Sequence, residues 1–331
     1  MKHNPAKLLF ISIFVCACAS VHSQEKSPLV QSQTISVPGI HGGFNHMAVD
    51  AKRQRLFGAA SANSTLEIID LKEGKPWRTL AGEKPAAARY APEFDQLYVS
   101  RGQSVNIYDG KTYNLITTID IGGNLDELQY NARTGRLYVG CMSPDKTGIA
   151  VISIPDGKLL GKIVLPDKPQ GIVVEQKGAR VFANMPNLRQ IAVMDGEKFT
   201  LLTTWQLEPG LANVPMGIDE ANHRLFVGTR HPAQLLVMDS TTGKTIATTD
   251  SNADADDLFY DATRKRVYIS CGEGFIAVIE QIDIDHYKLM ARISTISGAR
   301  TSVFSGPLQR LYLAVPRHGD QPAELRVFKT R

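Results

Sequence analysis

At 331 residues the chain has room for two ordinary domains or one large single-core fold. Its 43% hydrophobic and 21% charged residues are a globular composition. A formal net charge of +4, with no block of five or six like charges, gives no reason to expect nucleic-acid or anionic-membrane binding.

Residues 1–23 read as a signal peptide. "MKHNPAK" carries Lys2 and Lys7, "LLFISIFVCACA" is apolar, and "SVHSQEK" supplies small and polar residues. These are the basic, apolar and cleavage regions of an export signal, and the apolar run is too short to span a bilayer comfortably. Cleavage after "VHS" leaves Gln24 first, and "ACA" offers a second site. "VCAC" loosely resembles a lipobox ending at Cys18, where a lipid anchor would attach. The expected location is the bacterial periplasm. No later stretch approaches about eighteen apolar residues, so the mature chain is expected to lack a transmembrane span.

Residues 24–331 read as one domain built on a repeat. Its first element, "LVQSQTISVPG", is a lone strand. Seven units follow, each with a short apolar strand, a polar turn and a Leu-Tyr-Val-like strand. The latter read "RLFGA", "QLYVS", "RLYVG", "RVFAN", "RLFVG", "RVYIS" and "RLYLA". Their first apolar residues are Leu56, Leu97, Leu137, Val181, Leu225, Val267 and Leu311, at intervals of 41, 40, 44, 44, 42 and 44. Third strands follow, such as "LEIIDLKEGK", "VNIYDGKTYN" and "LLVMDSTTGK", then fourth strands such as "LITTIDI", "LLGKIVL" and "LLTTWQL".

Four short strands per unit of this length predict an all-β fold, a seven-bladed β-propeller. The seventh unit ends after its third strand, "LRVFKTR", so the N-terminal strand is expected to complete that blade and close the ring. The units "QLYVS", "RLYVG" and "RLFVG", with "IIDLKEGK", "IYDGKTYN" and "VMDSTTGK", resemble the YVTN family of β-propeller repeats. The resemblance covers essentially the whole mature chain. It implies an exported propeller and assigns no activity, and Glu280 with the longer turn "QIDIDHY" departs from its pattern. Propellers host several unrelated chemistries, so function has to come from a site.

In such a fold the first strand of each blade lines the central channel. Aligning the units places His46 level with Ala87, Glu127, Gly171, Pro215, Asp257 and Thr301. The preceding position holds Asn45, Ala86, Asp126, Gln170, Val214, Asp256 and Arg300. Thus "DELQY" and "DDLFY" are the same position in units three and six, and a polarised channel mouth is expected. Loops between second and third strands add Asn184, Arg230, His231, Glu273, Arg317 and His318 to that face. The expected ligand site comprises His46, Asp126, Glu127, Asn184, Arg230, His231, Asp256, Asp257 and Arg300. Turn chemistry alone also accounts for Asp at strand ends, because its carboxylate bonds nearby backbone amides.

Two functions are compatible with this mouth. One is a monomeric binding module for a small molecule or a protein. The other is a metal-dependent hydrolase or lactonase holding Ca, Mg or Zn through Glu127, Asp257 and His46, with one acid of a crowded pair as general base. "DSNADADDLFYD" at 250–261 imitates a calcium loop but has Ala255 where the bend needs glycine. "DGKT" at 109–112 and "TGKT" at 242–245 lack the upstream glycine of a phosphate loop and read as hairpin turns. No GxSxG, HExxH or CxxC occurs. Cys141 and Cys271 hold equivalent positions in units across the ring, too far apart for a disulfide.

Overall fold

The computed structural model describes Met1 and residues 27–143, 147–208 and 210–331. The expected cleavage sites and Cys18 lie outside the described residues.

Among the described residues the strands form seven antiparallel sheets of four strands each. Each repeat unit is one blade, and the only helical elements there are two short 3₁₀ turns, Ser61–Asn63 and Glu220–Asn222. The innermost strands are Met47–Asp50, Pro85–Ala91, Asn124–Asn131, Gln170–Val174, Leu211–Asp219, Ala255–Asp261 and Thr301–Ser305, for blades 1 to 7 in that order. The calcium-loop imitation is therefore half strand, since Ala255–Asp261 pairs with Arg266–Cys271.

The Leu-Tyr-Val pattern follows from burial on both faces of the second strand. Successive side chains point to opposite faces of a sheet. Leu56 accordingly packs toward blade 7 and Phe57 toward blade 2. The same division holds around the ring: Tyr98, Tyr138, Phe182, Phe226, Tyr268 and Tyr312 each enter the apolar cluster shared with the following blade. Each inter-blade seam thus receives at least one aromatic ring from the preceding blade. Burying such a side chain stabilises by roughly 1.5–3 kcal/mol, so the core is a ring of seams rather than a single centre.

The Asp that ends most third strands is explained by the hairpin beyond it. Asp70 accepts from the Lys72 and Glu73 amides, and Asp109, Asp195 and Asp239 repeat the arrangement. Both "GKT" segments are such turns.

Leu29–Ser36 pairs antiparallel with Glu324–Thr330 and supplies the outermost strand of blade 7. No disulfide joins Cys141 and Cys271, both of which are buried. They lie in the seams between blades 2 and 3 and between blades 5 and 6. No helix among the described residues is long and apolar enough to cross a membrane.

Candidate functional site

The inner strands of blades 2 to 6 carry a β-bulge near their mouth ends, at the step where the acidic pairs occur. In blade 3, Asp126 and Glu127 together oppose Gly140, because Leu125 pairs with Cys141 and Leu128 with Val139. In blade 6 the extra residue is Asp256, between Ala255 and Asp257. A bulge re-aims side chains that would otherwise alternate between faces. Both members of each acidic pair consequently line one cavity of about 420 Å³ at the channel mouth.

His46 bridges the two pairs. Its Nε2 lies 3.8 Å from Asp126 Oδ1 and its Nδ1 lies 3.6 Å from Asp257 Oδ1. Burial disfavours charge on the ring, but the neighbouring Asp257 carboxylate, with Glu127 and Asp126 behind it, outweighs that and pushes the pKa up to about 10. That shift favours the imidazolium form at neutral pH. Glu127 is shifted upward because burial dominates the help it receives from His46, the Ile172 amide, Gln129 and Arg89. Asp256 is also raised, first by burial and then by the adjacent Asp257 charge.

Two of these carboxylates also tie blades together. Glu127 Oε2 accepts the Ile172 N–H of blade 4 at 2.9 Å, and Asp257 Oδ2 accepts the Ser302 N–H of blade 7 at 2.7 Å. Turn-type chemistry and a channel-facing charge therefore coexist in the same side chains. Glu127 Oε1 takes a further hydrogen bond from Gln129 at 2.7 Å.

On the other flank, Arg230 of blade 5 donates to Asp256 at 2.9 Å and stands 3.3 Å from Asp254. Arg300 of blade 7 grips both Asp254 oxygens at 2.8 and 2.7 Å and lies 3.4 Å from Asp256. Two acids and two arginines thus lock the rims of three blades. Asp254 belongs to this network although nothing but proximity to the acidic run marks it in the sequence.

Of the expected site residues, His46, Asp126, Glu127, Asp256, Asp257 and Arg300 line the cavity. Arg230 reaches it through Asp256. Asn184 is fully buried beneath the wall, donating to the Val214 carbonyl at 3.0 Å and accepting from Asn213 at 2.8 Å. His231 is an exposed rim residue outside the cavity lining, as are Glu273, Arg317 and His318. Glu273 instead accepts from Asn252 and the Ala253 amide.

Two cations were not singled out by sequence. Lys168 Nζ lies 3.7 Å from Asp126 Oδ2. Arg89 lines the cavity one layer below the mouth, with Nε donating to the Leu128 carbonyl at 2.9 Å. Burial pulls its pKa down despite the Glu127 and Asp257 charges. Counting two residues inward from Ala87 on the same strand face finds it. Blade 5 adds the apolar residues Val214, Pro215 and Met216 to the lining. Gly171 keeps that side narrow, since its φ of +55° is left-handed and a Cβ there would strike the Val214 carbonyl.

The metal set expected from sequence, Glu127, Asp257 and His46, is placed around one cavity. Among the described residues no three His, Cys, Asp or Glu side chains are grouped to hold an ion. Glu127 has both oxygens hydrogen-bonded to protein donors and Asp257 has one.

No family model matches the chain. A 98-residue stretch, 29% of the chain, is 28% identical to "Uncharacterized protein YncE" of Salmonella typhi, and it spans 28% of that protein. Among solved structures, a chain of "Crystal Structure of Mitotic Checkpoint Complex" aligns with a TM-score of 0.75 at 14% identity, covering 98% of both chains. At that identity the likeness concerns the fold alone, and the fold is a seven-bladed β-propeller.

Proposed function

We propose that this chain is an exported propeller of the YVTN type that binds a small polar ligand at the mouth of its channel. The observation that carries the reading is the cavity of about 420 Å³, within the usual size range of small-molecule sites. Charged groups from several blades converge on it, and blade 5 adds an apolar stretch of its lining. The repeat sequences support the family assignment. The basic, apolar and small-residue segments of residues 1–23 support export. The geometry favours binding over metal-assisted hydrolysis because Glu127 and Asp257 are hydrogen-bonded to backbone amides of the next blade.

A thermal-shift screen of polar metabolites tests this, with every hit repeated on His46→Gln and Asp126→Asn. Hits that weaken in both variants are expected, and hits indifferent to both refute a channel-mouth site. The mass of the N-terminus in protein recovered from the bacterial envelope tests export. Gln24 as first residue is expected, a lipidated Cys18 indicates an anchored form, and an intact Met1 refutes processing.

A further inference from the structure

One layer below the mouth, about 7 Å deeper along strands that rise 3.2–3.4 Å per residue, the channel is chemically lopsided. Arg89 and Gln129 occupy blades 2 and 3, while Val173, Gly217, Phe259 and Val303 fill the rest of the cavity wall at that level. Arg89 is held in place by the single bond from Nε to the Leu128 carbonyl. Among the described residues neither terminal nitrogen of its guanidinium has a hydrogen-bond or ion-pair partner. Above it, the two oxygens of Asp126 stand 3.8 Å from His46 and 3.7 Å from Lys168, beyond hydrogen-bonding distance, and accept no hydrogen bond among the described residues. One cavity therefore presents a donor fork below and an acceptor carboxylate above, both charged and neither saturated.

We infer that the channel ligand is a small zwitterion of amino-acid type, its carboxylate on the Arg89 guanidinium and its ammonium on Asp126. The inference rests on the channel-binding reading above. Guanidinium matches a carboxylate through two parallel hydrogen bonds, and an ammonium makes charge-assisted bonds to a carboxylate. A plain anion meets Asp126, Glu127, Asp256 and Asp257 on entry. A plain cation meets the His46 imidazolium and leaves Arg89 unanswered. A molecule with both charges and no net charge satisfies both ends, and an aliphatic side chain on it packs against Val214, Pro215 and Met216.

The test is calorimetric titration of the full-length mature protein with the proteinogenic amino acids. The tightest binder is then compared with its methyl ester, which lacks the carboxylate, and its N-acetyl form, which lacks the ammonium. Each blocked form is expected to bind at least about tenfold more weakly, because a charged group lining the cavity loses its partner. Arg89→Gln is expected to abolish the preference for the free acid, and Asp126→Asn the preference for the free amine. No binding by any amino acid, or equal binding of the blocked forms, overturns the inference. The ester and N-acetyl comparisons use the wild-type protein, so they stand even where a variant fails to fold. A non-zwitterionic screening hit lost in His46→Gln and Asp126→Asn would remove the zwitterion while keeping the channel site. Hits insensitive to all three substitutions would remove both.

Discussion

Glu127 and Asp257 sit at the same step of the inner strand in blades 3 and 6, and each clasps a backbone amide of the following blade, Ile172 at 2.9 Å and Ser302 at 2.7 Å. Each side chain thus ties two blades while contributing charge to the channel. The two roles separate experimentally because an amide side chain keeps an acceptor oxygen and loses the charge.

Asp257→Asn is expected to retain the Ser302 contact and cost under about 1 kcal/mol, whereas Asp257→Ala strands that amide and costs about 1–3 kcal/mol. Urea denaturation midpoints at pH 7 measure the difference. Equal losses from both substitutions would show that charge, not the amide clasp, gives Asp257 its structural weight.

His46 makes stability depend on pH with a definite sign. Its folded pKa of about 10 lies above the ordinary 6.5, so its contribution is complete below about pH 6.5 and disappears as pH rises through 10. The groups facing it are Asp257, Glu127 and Asp126. With contacts of 3.6 and 3.8 Å and a partly exposed ring, His46→Gln is expected to lose roughly 2 kcal/mol at pH 6. The gap to wild type should narrow progressively above about pH 6.5, remain measurable at pH 8 and close by about pH 11 in parallel denaturation curves. A gap that closed near pH 6.5 would mean the ring is not held protonated.

Phe182 is the ring that blade 4 places in its seam with blade 5, and it is fully buried. Phe182→Ala is expected to cost about 3–5 kcal/mol by opening a cavity there. Leu202, 55% exposed on an outer strand, should lose less than about 0.5 kcal/mol when changed to alanine. Thermal melts of the two variants decide whether the seams carry the stability.

Titration of the dialysed protein with calcium, magnesium and zinc salts at pH 7 is expected to show no stoichiometric binding in the channel. The physical ground is that Glu127 has both oxygens, and Asp257 one, hydrogen-bonded to protein donors. A one-to-one heat signal abolished by Glu127→Gln would reverse this and restore the hydrolase reading.

The fold was legible because its two rules are local. Leu56 beside Phe57, and the same pair in every later unit, records a strand buried on both faces, while Asp70 and Asp109 record turns whose amides need an acceptor. Unit spacing then fixes the blade count. The site was only half legible. Alignment put Asp126 and Asp256 at the mouth, but the bulges that let consecutive residues share one cavity arise from pairing with Gly140 and with Cys271–Ser270. Arg89 lay hidden in "AARYA", where its neighbours look like ordinary strand. Asn184 shared the expected face but turned into the wall, because the Val214 carbonyl needed a donor there.

The pairing of Leu29–Ser36 with Glu324–Thr330 also sets the order of events when the protein is made. Leu29 finds its partner in Thr330, and the Arg331 amide bonds the Pro28 carbonyl. The first of the described strands must therefore wait for a strand some three hundred positions further on before it can pair. Blades 1 to 6 can assemble as they emerge, but the ring stays open throughout, and its final step is a long-range encounter of the slow kind. An intermediate that has not yet placed Glu324–Thr330 would hold six finished blades and an unmatched Leu29–Ser36 edge.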